Sequence, residues 1–167
     1  MNADGDDLDA FVGRLEYVAL RLQQHASAVP APGLTEPDQP SGEQWEWGHV
    51  WAHLAEFVPY WMGQMRVVIE SPGTDPVPFG RTKTDPGRVN AIERDRPTPT
   101  SELWDRLQGQ LGEFRRFLEE LPPEAWSKEG QHPTLGTMDI SRIVDRFVVG
   151  HLEEHATQLD GLAAQRG

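Results

Sequence analysis

The chain has 167 residues, with 27 acidic against 15 basic side chains, a formal net charge of −12 and no cysteine. A length of this order fits one domain with one hydrophobic core, here 1–167. The surplus of negative charge repels nucleic acid and anionic lipid, and the missing cysteines exclude disulfides, Cys-ligated zinc and a thiol nucleophile of the protein's own.

No run of about 18 uncharged apolar residues occurs, so no membrane-spanning segment is expected. The first ten residues, MNADGDDLDA, are acidic and hold no apolar stretch; a cytoplasmic location is therefore the expectation. Arginine outnumbers lysine 13 to 2, which reads as the coding bias of a GC-rich genome.

Leu8, Phe11, Leu15, Val18/Ala19 and Leu22 recur at steps of three and four and predict a first helix over 8–22. Asp6 or Asp7 is its expected cap, and Pro30 and Pro32 its expected end. A second helix is predicted over 43–70, apolar on several sides through Trp45, Trp51, Leu54, Phe57, Trp61 and Met65. Pro59 lies inside it and predicts a kink, because proline donates no hydrogen bond and crowds the carbonyl of Ala55. The proline-rich stretch that follows is too long for a bundle turn and predicts a crossover, with a short helical turn near 88–94. A third helix is predicted over 101–121, stopped by Pro122-Pro123. Next comes a loop over 122–137 that holds Trp126, His132 and Gly136, with no hairpin signal. A fourth helix is predicted over 138–162 with Thr137 as cap. The predicted architecture is all-α: a four-helix bundle, up-down-down-up, with the long crossover between helices two and three.

Histidines interrupt the apolar seams. His151 and His155 stand four apart on helix four and face one way, about 6 Å apart, a spacing that suits two ligands of one divalent ion. His49 and His53 repeat that spacing on helix two. Two such pairs in one bundle point to a metal site of three or four imidazoles. A di-iron carboxylate site fits poorly, since only Glu46-x-x-His49 has the required Glu-x-x-His pattern. Three imidazoles leave a coordination position open, as catalytic sites do, and suit zinc and nickel alike.

The segments QWEWGHVWAHLAEFVPYW and LGTMDISRIVDRFVVGHLEEHATQL, in order and about 100 residues apart, resemble the second and fourth helices of the DinB-like (DinB/YfiT) superfamily. A tryptophan two turns before a ligand histidine (Trp45 and His53) and a His-x-x-x-His pair after Gly136 carry the likeness. The resemblance implies a metal triad of His53, His151 and His155 and leaves His49 outside it. It also implies a metal-dependent enzyme. The favoured form is an S-transferase that holds a low-molecular-weight thiol, mycothiol or bacillithiol, at the metal for attack on an electrophilic substrate. The GC-rich bias leans towards mycothiol. A metal-dependent hydrolase with Glu56 as base, and a non-catalytic metal-binding or sensor module, stand as alternatives. His49, Tyr60, Arg81 and Arg88 are candidate contacts for the thiol cofactor. Members of the superfamily often dimerise, so a homodimer is a further expectation. His25 and His132 are expected at the surface, and Trp45, Trp51, Trp61 and Trp104 in the core.

Overall fold

A computed structural model describes residues 3–39 and 41–166. Four long rods surround the core: α1 (Ala3–Ala26), α2 (Trp47–Glu70), α4 (Thr100–Glu120), and a last rod built from α5 (Ile140–Ile143), a π-helical segment (Val144–Val149) and α6 (Gly150–Ala164). A shorter helix, α3 (Pro86–Asp95), sits in the long connection. The protein is an all-α helical bundle, with one small sheet added at its side.

Contacts between the rods fix their directions. Trp47 donates to Thr100, Gln110 donates to the Ala55 carbonyl, and Arg66 lies over Phe117, so α2 and α4 run in step. Arg14 reaches Asp145 and Glu153, and Arg21 reaches Thr157 and Asp160, so α1 runs in step with the last rod. Trp45 stacks on His155 whereas Trp61 stacks on Phe147, so α2 runs against it. Between the rods lie Trp51, Leu54, Phe57, Met65, Leu107 and Phe114, all inaccessible to solvent.

Several boundaries differ from expectation. The first helix runs from Ala3 through Ala26, so Asp6 and Asp7 lie inside it, where acids favour the N-terminal dipole, and it ends before either proline. Helix two starts at Trp47, later than predicted. Residues 43–46 lie outside it, Glu46 with extended backbone, and the Glu46 N–H donates to His49 Nδ1 at 3.4 Å. The helix continues through Pro59 without interruption. The Ala55 carbonyl, which loses its usual donor to that proline, accepts from Gln110 Nε2 at 2.8 Å instead. A buried carbonyl stripped of its donor costs about 1–3 kcal/mol, which is the expected loss for Gln110→Leu. In a Pro59→Ala background the restored amide should take over the carbonyl and the loss should shrink. Urea melts of the single and double variants check this.

In the connection, the Asp85 carboxylate caps α3 by accepting from the Arg88 N–H, and Pro86 opens the helix. Val77–Pro78 forms a short strand, β1, parallel to β2 (Glu129–His132), which is itself antiparallel to β3 (Gly136–Asp139). The segment read as a loop is thus a hairpin. His132 pairs with Gly136, whose φ of +78° closes the three-residue turn at a position favouring glycine. Helix four consequently begins at Ile140. Asp139 caps it, accepting from the Arg142 N–H at 2.8 Å, while Thr137 lies in the strand. Among the described residues no helix is long and apolar enough to cross a membrane.

Candidate metal centre

His53 comes from the buried side of α2, and His151 and His155 come from α6 one turn apart. Their ring nitrogens converge: His53 Nε2 lies 2.8 Å from His151 Nε2, which lies 3.1 Å from His155 Nε2. Nitrogens bound to one tetrahedral zinc stand about 3.4 Å apart, close to this spacing. His53 and His155 are only 3% and 5% exposed, and His151 opens onto the cavity beside them.

Two of the three rings are set by a residue three positions further on. His151 Nδ1 faces Glu154 Oε2 at 3.2 Å, and His155 Nδ1 faces Gln158 Oε1 at 2.6 Å. Those oxygens accept, so both rings carry their proton on Nδ1 and turn a bare Nε2 lone pair inward. Two lone pairs about 3 Å apart repel unless a cation lies between them. His53 Nδ1 has Glu56 Oε2 at 3.6 Å, beyond hydrogen-bond reach, and is buried without another partner. Burial first, and the neighbouring rings next, hold the pKa of both His53 and His155 well below the ordinary histidine range. Both are therefore neutral near pH 7 and available as ligands. The residues fit a divalent ion.

These shifts give a pH dependence to the metal-free protein. Unfolding restores the ordinary histidine pKa of about 6.5, whereas the folded values lie lower. No penalty exists above about pH 6.5; below it the unfolded chain binds protons that the folded chain refuses, and stability falls. Two such groups give up to about 2.7 kcal/mol per pH unit. Urea melts at pH 7.5 and 5.5, repeated on His53→Phe, should show a smaller loss in the variant.

The other candidates separate. Glu56 is 7% exposed at its side chain and does not line the cavity; both its oxygens accept from Arg81 Nη2, at 2.5 and 2.6 Å. Burial raises its pKa while Arg81 opposes the rise. Tyr60 lies under Arg81, whose guanidinium carbon is 3.9 Å from the ring centre. Arg81 and Arg88 both line the cavity. His49 is turned away from it, its Nδ1 at the start of α2 and its Nε2 3.7 Å from Glu93 on α3.

His132 and His25 depart from expectation. His132 is 4% exposed, stacked on Phe147 at 4.9 Å, with its Nδ1 accepting from the Thr134 and Leu135 amides. His25 is half-buried and bonds Asp160 at 2.6 Å. Trp45 and Trp61 belong to the core and also form cavity wall. Glu154, Gln158 and Phe147 line the cavity as well, and sequence reasoning did not single them out. The available signal was His-x-x-Glu or His-x-x-Gln, repeated at all three histidines.

The cavity measures about 570 Å³ and the triad forms part of its wall. Such a site and scaffold define a helical-bundle protein with three imidazoles converging on the wall of a cavity. The chain belongs to the DinB superfamily, whose family model matches residues 14–159. No curated protein sequence matches it. Among solved structures it is similar to YfiT from Bacillus subtilis, a probable metal-dependent hydrolase with an unusual four-helix bundle topology, at 19% identity and a TM-score of 0.73 over 96% of this chain and 87% of that one. It is also similar to the mycothiol-dependent maleylpyruvate isomerase, at 16% identity and a TM-score of 0.69 over 95% of this chain. The chain spans 63% of that isomerase's length. These likenesses show the fold.

Proposed function

We propose that the protein is a metal-dependent enzyme in which His53, His151 and His155 hold one divalent ion, zinc or nickel, and that it transfers a low-molecular-weight thiol to an electrophilic substrate. The convergence of three Nε2 atoms on the wall of a cavity of small-molecule size carries the reading. A divalent ion bound there supplies the charge that draws the proton from a thiol beside it. The chain's own part is to keep His53 and His155 neutral by burial, to aim His151 and His155 through Glu154 and Gln158, and to house both reactants. The sulfur, its proton released to solvent water, would then bond to the electrophilic carbon, and the leaving group would depart with the electron pair of its broken bond. The protein has no thiol of its own, so the nucleophile comes from outside. Mycothiol and bacillithiol are the proposed cosubstrates; the likeness to a mycothiol-dependent isomerase supports the first. A cytoplasmic setting, where thiols stay reduced, suits this chemistry.

The hydrolase reading draws on the likeness to YfiT. Its candidate base, Glu56, serves it poorly, because Arg81 holds both its oxygens and Glu56 does not line the cavity. Titration of cobalt-substituted protein with mycothiol and bacillithiol decides between them. Sulfur bonding to cobalt gives intense near-ultraviolet charge-transfer absorption. The transferase reading expects that band with at least one of the thiols and is lost if neither produces it.

A further inference from the structure

Four cationic side chains line the cavity: Arg81, Lys83, Arg88 and Arg146. Three already have acidic partners. Arg81 is held by Glu56, Lys83 by Asp38, and Arg146 lies 3.7 Å from Glu154. Arg88 has no acidic partner within salt-bridge distance among the described residues. Its one side-chain hydrogen bond there runs from Nη1 to the Lys83 carbonyl at 2.8 Å.

The guanidinium is nevertheless well placed. Arg88 is half-buried, and its guanidinium carbon lies 5.4 Å from the Trp45 ring centre. That indole stacks on His155 at 5.9 Å with 6° between the planes, and meets His53 edge-on at 5.2 Å. One aromatic ring therefore carries both the guanidinium and two of the three imidazoles. A guanidinium offers a rigid planar fork that matches a carboxylate with two parallel bonds.

We propose that Arg88 is the carboxylate anchor of this cavity, so that the molecule processed here carries a carboxylate on Arg88 while another of its groups sits at the triad. The proposal rests on the metal reading above. Arg81 is not its equivalent, because Glu56 already pairs its charge through Nη2. A single free cation beside Asp38 and Glu43, both in the same wall, suits a monoanion. A dianionic phosphate would face those carboxylates with no second unpaired cation to meet it.

The carboxylate can belong to the electrophile or to the thiol, and two ligand pairs distinguish these sources. Zinc-loaded protein is titrated calorimetrically with butyrohydroxamate and succinic monohydroxamate, which differ by a methyl group against a carboxylate. Propanethiol and mercaptopropionate form the second pair. The carboxylated member should bind about tenfold tighter or more in at least one pair. A preference among the hydroxamates assigns the carboxylate to the electrophile, and a preference among the thiols assigns it to the thiol. Arg88→Gln should erase the preference and Arg88→Lys should keep part of it, with thermal melts confirming that both variants fold. Equal affinities within both pairs overturn the proposal, as does a preference that survives Arg88→Gln. Binding of none of the four overturns the metal reading and the anchor with it, whereas binding without preference overturns the anchor alone.

Discussion

Alanine at position 53, 151 or 155 is expected to take the bound metal from about one ion per chain to nearly none, while His49→Ala leaves the content almost unchanged. The contrast comes from where the rings point. Three Nε2 atoms meet at one place on the cavity wall, whereas His49 spends its nitrogens on the start of α2 and on Glu93. Elemental analysis of the four purified variants reads the result directly; equal losses in all four would break the assignment. The same ion should stabilise the fold, because the unfolded chain does not hold the three imidazoles together. At free metal a hundredfold above its dissociation constant the gain is about 2.7 kcal/mol. For a chain of this size that is about 5–10 °C in melting temperature. Melts with and without a chelator that superimpose would argue against an ion held by the folded state. Glu154→Leu and Gln158→Leu, which only free the rings behind the ligands, should weaken zinc binding by about 10–100-fold.

Several parts of this arrangement were legible in residues alone, for physical reasons. The four rods show because their buried positions recur with the helix period over many turns, as Phe11 to Leu22 and Leu103 to Leu118 do. The histidine pairs show because a four-residue step places two rings on one face. The hairpin does not show. Its first strand, Glu129-Gly130-Gln131-His132, contains no β-branched residue, and its alternation spans only four positions. The burial of His132 follows from that hairpin, because the turn folds its ring onto Phe147 and Phe79. The orienting residues were hidden by direction. Di-iron sites place the acid three residues before the histidine, whereas here Glu154 and Gln158 follow His151 and His155 by three. The partnering of Arg81 with Glu56 joins residues 25 apart across the connection, and no local pattern encodes it. Nor does any pattern announce that Gln110 replaces the donor lost at Pro59.

The π-helical segment is the least legible element, and its removal is the second large effect expected. Phe147, His151 and His155 advance in steps of four, each about 400° on an ideal helix, so the face would drift about 40° per step. The wider turn over Val144–Val149 absorbs part of that drift just before the first ligand. It is held at both ends. The Gly150 N–H donates to the Asp145 carbonyl five residues back, and Arg14 from α1 clamps Asp145 at 2.8 Å and Glu153 at 2.5 Å. A methyl group at position 150 would stand 2.5 Å from the Asp145 carbonyl oxygen, a contact that the backbone must relieve by moving. In an ordinary helix Gly→Ala stabilises by about 0.5–1 kcal/mol. Forcing an atom into a filled site costs about 1–3 kcal/mol, so the clash outweighs the gain. Gly150→Ala should therefore lower stability by roughly 1–2 kcal/mol. It should also weaken zinc binding at least about tenfold, because the turn that relaxes is the one that phases His151 and His155 against His53. Urea melts of the metal-free protein and zinc competition against a chromogenic chelator separate the two effects. A Gly150→Ala protein that gains stability and binds zinc as before would show that an ordinary α-helix phases the ligands equally well.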